Sequence, residues 1–116
     1  FLLLNGNVGA VCQQWFKQQL QVLSSRFEKV FIVLGSIEFY NASIELAIDV
    51  VNEISNALKN VILLNNRSIP LTDNIILLGS TLWPNLSTET LRLTPQTFRD
   101  ALEHIYHIND QSISPL

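Results

Sequence analysis

The sequence alternates short, uninterrupted apolar runs with longer segments whose apolar residues recur every three or four positions. Three runs, Phe1–Leu4, Val30–Leu34 and Val61–Leu64, have the length and composition of strands that are buried on both faces of a sheet. Between them, residues 10–27 and 43–58 have the spacing of amphipathic helices. Strand–helix alternation of this kind favours a parallel sheet with right-handed crossovers. We therefore expect an α/β core.

The residues of the two helical segments predict how each helix packs. One stripe of the first helix consists of apolar residues, namely Cys12, Phe16, Leu20, Leu23 and Phe27. We expect Cys12 to be a small core residue, because no histidine or catalytic base lies near it in the sequence. The pair Trp15 and Phe16 is expected to pack the helix rather than to stack on a ligand. The second helix follows an N-cap supplied by Asn41 or Ser43 and ends near Leu58.

Two more apolar runs follow the third predicted strand at short intervals. Ser68–Leu71 and Asn74–Leu78 are joined by so short a turn that we expect an antiparallel hairpin. Residues 79–83 can extend its second strand. Further on, Thr94-Pro95 combines an N-cap with a proline at the first helical position, which indicates a last helix. The predicted order is β-α-β-α-β-β-β-α.

Composition excludes several functions. The chain of 116 residues suits one domain, and its net charge of −3 gives no basic surface for nucleic acid. No apolar run reaches the roughly 18 residues that a membrane-spanning helix needs. Cys12 is the single cysteine, so no disulfide forms within the chain. We expect a cytoplasmic protein that binds neither nucleic acid nor membrane.

Polar residues follow the first two predicted strands. Ligands of open α/β sheets bind beyond the carboxyl ends of the strands, where residues 5–9 and 35–40 form loops. Asn7 lies in one loop, and Ser36 and Glu38 lie in the other. If the two strands are neighbours, these loops face a common crevice. There Glu38 is either a general base or the acceptor of structural hydrogen bonds.

The glycines of the first loop have two readings. Gly6 and Gly9 lie between a predicted strand and a predicted helix, where backbone N–H groups can approach a phosphate. The loop lacks the full dinucleotide-binding pattern and the lysine of a phosphate-binding loop, so a plain tight turn is the simpler interpretation. A Rossmann-like nucleotide-binding domain is the corresponding functional hypothesis.

Four segments together carry a family resemblance. Leu-Leu-Leu-Asn-Gly-Asn-Val-Gly at 2–9 resembles the strand-plus-Gly-Asp motif of the calcineurin-like metallophosphoesterases. Val-Leu-Gly-Ser-Ile-Glu-Phe-Tyr at 33–40 is similar to their Gly-Asn-His-Glu motif. Leu-Lys-Asn-Val at 58–61 and Gly-Ser-Thr-Leu-Trp at 79–83 resemble later segments of one bacterial-type branch. The order and spacing of all four match the family.

The resemblance implies a specific chemistry. Family members hold two divalent metals, often Mn, Fe or Zn, and hydrolyse phosphate esters with a metal-bound hydroxide. By position, Asn7 matches the aspartate that bridges the metals and Ser36 matches an asparagine ligand. Ile37 matches the catalytic histidine, and Glu38 alone keeps its family identity. A phosphate ester is the substrate that this assignment implies.

The departures from the family motif predict a degenerate site. A neutral Asn7 amide supplies no charge to two dications, which favour anionic oxygen ligands, and Ile37 can neither bind phosphate nor donate a proton. We therefore expect a pseudoenzyme that does not bind the family's metals. Residues 1–116 would be the central portion of one such domain, without its first and last metal-binding segments. The absence of methionine also suggests a piece of a longer product.

Other interpretations remain open. The runner-up function is a non-catalytic α/β module for binding or assembly, and a partial domain would expose an apolar sheet face through which it could self-associate. On the last predicted helix, Asp100, His104 and His107 share one face. They form either a divalent-metal site or, more simply, a solvent-exposed face with charged pairs.

Overall fold

Residues 1–82, the part of the chain that the computed structural model describes, have an α/β fold. In chain order the elements are β1 (Leu2–Asn5), α1 (Gln14–Arg26), β2 (Val30–Val33), a short 3₁₀ helix (Ile37–Phe39), α2 (Ile44–Leu58), β3 (Val61–Leu63), β4 (Arg67–Thr72) and β5 (Ile75–Gly79). The predicted order is thus confirmed as far as the hairpin. The predicted last helix, with Asp100, His104 and His107, lies outside the described residues. No helix within residues 1–82 is long and apolar enough to cross a membrane.

The central sheet has three parallel strands in the order β1-β2-β3. Leu2 pairs with Val30, and Val30 in turn pairs with Val61, so the three strands begin in register. The β-branched and aromatic residues of β2 suit its central position, where neighbours lie on both sides. Strands β1 and β2 are adjacent, which meets the condition for a common crevice, and their carboxyl ends point to the same edge of the sheet.

Both helices pack on one face of this sheet. The apolar core joins buried residues of α1 and α2 to alternate residues of the strands; its fully buried members include Phe16, Leu20, Val30, Ile32, Ala47 and Val51. Because side chains alternate across a strand, residues of one parity face the helices and those of the other parity face away. The apolar faces of both helices therefore pack into the same core.

The opposite face of the sheet corrects the prediction for β1. Leu3 and Phe31 pair across the strands on this face, and Leu3 is 44% exposed whereas Phe31 is 2% exposed. The ring of Phe1 meets Phe31 edge-on with centroids 6.3 Å apart, but Phe1 is itself 57% exposed. We expected β1 to be buried on both faces, and this is wrong because neither helix covers the Leu3 side. For β2 the expectation holds.

The helix starts differ in how they are capped. Ser43 is the N-cap of α2, and its hydroxyl accepts a hydrogen bond from the Leu46 N–H at 3.1 Å. Asn41, the other candidate, instead adopts a left-handed conformation with φ of 58°.

Helix α1 begins only at Gln14, so Cys12 lies in the preceding turn. The prediction that Cys12 is a core residue is wrong, since it is exposed and its thiol contacts the Asn41 carbonyl at 3.6 Å.

The hairpin is antiparallel, as its short turn predicts. Strands β4 and β5 pair from Arg67 with Gly79 to Thr72 with Ile75, with an irregularity between Pro70 and Thr72. Strand β5 ends at Gly79, so 80–82 do not extend it. Three large apolar side chains of β5, those of Ile75, Ile76 and Leu78, are exposed.

Asn60 ties the end of α1 to the start of β3. Its Nδ2 donates to the carbonyls of Ser24 and Phe27 at 2.9 and 3.0 Å, and its Oδ1 accepts from the Ser24 hydroxyl at 2.6 Å. The amide therefore satisfies carbonyl groups that a helix end leaves without partners. Just before it, Lys59 has φ of 61° and lies within a tight turn closed by the Asn60 N–H and the Leu58 carbonyl at 2.6 Å.

We predict that Asn60→Asp destabilises the protein. The carboxylate lacks the amide donors and faces carbonyl oxygens at the negative end of a helix dipole, so we expect a loss of about 2 to 3 kcal/mol of unfolding free energy. Urea denaturation followed by circular dichroism measures it. Asn52→Asp is the control, because Asn52 is exposed on α2, and its effect should stay within about 0.5 kcal/mol. Equal losses in the two variants would contradict the assignment.

Candidate functional site

The loops after β1 and β2 meet at the carboxyl edge of the sheet. Asn5 pairs with Val33 at the ends of the two strands, so the chain leaves both at the same level. Gly6 has φ of 83°, and a Cβ there would lie 2.7 Å from the Gly35 nitrogen. A Cβ on Gly35 would in turn lie 2.8 Å from the Asn7 nitrogen. Two backbones therefore touch where side chains would not fit, and the predicted common crevice is a closely packed junction.

Glu38 holds this junction together. It is fully buried, with 0% of its surface exposed. Its Oε1 accepts hydrogen bonds from the N–H groups of Val8 at 2.5 Å and Gly9 at 3.3 Å. Its Oε2 accepts from the N–H groups of Asn7 at 2.9 Å and Gly35 at 2.7 Å. The carboxylate thus binds backbone of both loops, Oε1 in the first loop and Oε2 in both, which favours a structural role for Glu38 over that of a general base.

The same hydrogen bonds bear on the nucleotide hypothesis. A phosphate bound at Gly6–Gly9 would need free N–H groups in that loop. Those of Asn7, Val8 and Gly9 already point at the Glu38 carboxylate. The glycines serve the turn and the contact between loops, so the geometry does not support a phosphate site there.

Asn7 and Ile37 face each other across the junction. Asn7 has φ of 57°, a left-handed conformation that asparagine tolerates better than most residues. Its Oδ1 accepts a hydrogen bond from the Ile37 N–H at 3.3 Å. Ser36 immediately precedes the 3₁₀ helix as its N-cap residue. The structure thus brings together all four residues at which the resemblance places the family's site.

These four residues do not fit a pair of divalent metals. Glu38 is the only anion among them, and its two oxygens face four N–H donors. The Asn7 amide oxygen already accepts from the Ile37 backbone, and the Ile37 side chain offers no ligand atom. Within residues 1–82 no group of three or more His, Cys, Asp and Glu side chains is placed to hold a metal ion.

Thr81 is a further contributor that the sequence did not single out. Its hydroxyl donates to the Leu34 carbonyl at 2.6 Å, which attaches the segment after β5 to the end of β2. Gly79 lies against Leu64 so closely that a Cβ would overlap that side chain. The available signal was the motif at 79–83, whose threonine the resemblance did not assign a role. For Glu38, the signal was a lone carboxylate between Ile37 and Phe39 in a chain with few charges.

Comparison with curated proteins finds one relative at significant similarity. The chain is 34% identical over 92 residues to an uncharacterized protein of Acanthamoeba polyphaga mimivirus, in a match that covers 75% of this chain and 32% of the relative. The chain therefore spans about a third of that relative's length. No family model matches the chain, and no solved structure matches it. The relative is itself uncharacterized, so it lends this chain no activity.

We predict that Gly35→Ala destabilises the protein more than Gly9→Ala. At Gly35 the new Cβ meets the Asn7 backbone, which Glu38 holds in place, so we expect a loss of about 2 kcal/mol or more. At Gly9 the new Cβ meets the outer ring atoms of Trp15, a 40% exposed side chain that can shift towards solvent at the cost of its hydrogen bond to Gln13. Thermal and urea unfolding of both variants measure the difference. A larger loss at Gly9 would contradict the rigid junction.

Proposed function

We propose that residues 1–116 are the central portion of a metallophosphoesterase-like domain that has lost catalysis and serves as a non-catalytic module. One observation carries this proposal. The four positions that match the family's motifs, Asn7, Ser36, Ile37 and Glu38, meet at one edge of the sheet, yet their chemistry does not suit metals. A cytoplasmic location belongs to the same proposal and rests on composition.

The geometry supports loss of catalysis more than a hidden activity. Metal-dependent phosphoester hydrolysis needs anionic ligands that hold the ions and a group that assists the leaving oxygen. The one carboxylate at the junction is buried against backbone N–H groups, and the position of the family's histidine is Ile37. What the junction retains is its architecture, with two glycine-containing loops joined through Glu38.

The first test is hydrolysis by the full-length polypeptide that contains this sequence. We expect no cleavage of a generic chromogenic phosphodiester in the presence of Mn²⁺ beyond the rate of a metal-free sample. A sample with Mg²⁺ in place of Mn²⁺ tests a second divalent metal, and we expect no cleavage above the metal-free rate there either. Metal-dependent turnover that disappears in Asn7→Ala would contradict loss of catalysis, because it would show that Asn7 takes part in a working site.

The second test addresses the family assignment itself. The triple variant Asn7→Asp, Ser36→Asn, Ile37→His of the full-length polypeptide restores the family's ligand types at the junction. We expect it to bind Mn²⁺ measurably in calorimetry, whereas the parent does not. The control carries Asn52→Asp and Asn56→Asp on the exposed side of α2, which adds negative charge away from the junction. If the triple variant takes up no more metal than this control, the assignment fails.

A role in assembly is the second candidate, and the exposed sheet face favours it. Phe1 and Leu3 lie on the face that α1 and α2 leave open, and both are large apolar residues. Neighbouring apolar residues exposed on a sheet face mark contact surfaces more often than isolated ones do. We propose that a second copy of the chain covers this face.

Sedimentation equilibrium tests this self-association. We expect the 116-residue chain to form dimers or larger species and Leu3→Asp to shift it towards the monomer. Val22→Asp is a matched control, since Val22 on α1 and Leu3 are each 44% exposed. A parent chain that stays monomeric, or equal effects of the two substitutions, would rule out assembly through this face.

A further inference from the structure

The four N–H groups around Glu38 form a binding site in their own right. Each carboxylate oxygen accepts two of them, Oε1 from Val8 and Gly9 and Oε2 from Asn7 and Gly35. Neither the loop at 5–9 nor the segment 34–40 contains Lys, Arg or His. All four of these donors are backbone N–H groups, in an arrangement known from anion-binding concavities.

The geometry suits a carboxylate rather than another anion. Two donors converge on each of two oxygens, a symmetric pattern that matches a planar group with two acceptor atoms. The site is closed to solvent, because Glu38 has no exposed surface. A tetrahedral phosphate would bring more oxygens than the four donors address, and a halide would not span donors from two loops.

We propose that Asn7, Val8, Gly9 and Gly35 form a carboxylate-binding site that the chain fills with its own Glu38, and that the emptied site binds a small free carboxylate. The inference goes beyond the proposed function and does not depend on it. It assigns to an internal anion the task of joining the two loops. The junction then needs no metal ion to hold its shape.

The test uses a variant from which the bound group is removed. Glu38→Ala deletes one methylene and the carboxylate, and acetate supplies a methyl group and a carboxylate of matching size. We expect Glu38→Ala to unfold at a lower temperature than the parent and acetate to raise its unfolding midpoint progressively with concentration, because a ligand that binds only the folded state stabilises it. Chloride and phosphate at the same ionic strength should raise the midpoint of Glu38→Ala no more than they raise that of the parent, because general salt effects act on both proteins alike.

Two controls separate binding from general salt effects. Glu53→Ala removes an exposed carboxylate from α2, and acetate should affect it no more than it affects the parent. Glu38→Gln keeps the side chain's size but turns an NH₂ group towards N–H donors. It should be destabilised and should not respond to acetate, since the space is already filled.

The outcomes decide the proposal in each case. If Glu38→Ala is unfolded in chloride, recovery of its helical circular dichroism in acetate is the expected result. A second measurement needs no variant that folds poorly: the amide protons of Val8 and Gly35 in the parent should exchange slowly and resonate downfield. An acetate effect on Glu38→Ala no larger than that of chloride, or fast exchange of both amides in the parent, would overturn the proposal.

Discussion

One buried carboxylate, that of Glu38, determines how the two loops are arranged at the carboxyl edge of this sheet. Glu38 lies in the short helix after β2, yet three of its four hydrogen bonds reach the loop after β1. An ionised group without solvent contact is tolerated only when polar partners replace its lost hydration. The two glycine-containing loops must therefore keep their N–H groups aimed inward. The close approach of Gly6 to Gly35 is the steric counterpart of that electrostatic requirement.

Because hydrogen bonds within the chain hold the junction, its shape does not depend on bound cations. A site that depends on bound cations for its shape loses its fold at that edge when the ligands are replaced. Here the loops are joined through side-chain and backbone groups of the chain, so the junction keeps its shape although Asn7 and Ile37 offer no anionic metal ligand. Glu38 is the residue on which this junction depends, because its carboxylate joins the two loops.

Hydrophobic periodicity predicted the order of the helices and strands. It did not predict the burial of residues whose exposure depends on how neighbouring elements pack. The order of β1 to β5 and the antiparallel hairpin follow from apolar runs and turn length. The prediction that β1 is buried on both faces was wrong, because a continuous apolar run such as Phe1–Leu4 does not show whether another element covers each face of the strand. The prediction for Cys12 was wrong because α1 begins at Gln14, so Cys12 lies before the helix and not on its apolar face. For the site, the sequence indicated that the two loops could lie close together. It could not indicate that Val8 and Gly9 bind Glu38, because their donors are backbone N–H groups that every residue except proline has.

The bond network of Asn60 has a consequence for how the molecule opens. Helix ends usually fray first, and their amides exchange with solvent long before the interior does. Asn60 binds the last carbonyls of α1 from the residue just before β3, so the final turn of that helix can open only when the strand entry moves as well. The C-terminal turn of α1 should thus behave as part of the sheet's cooperative unit, although it lies at the surface.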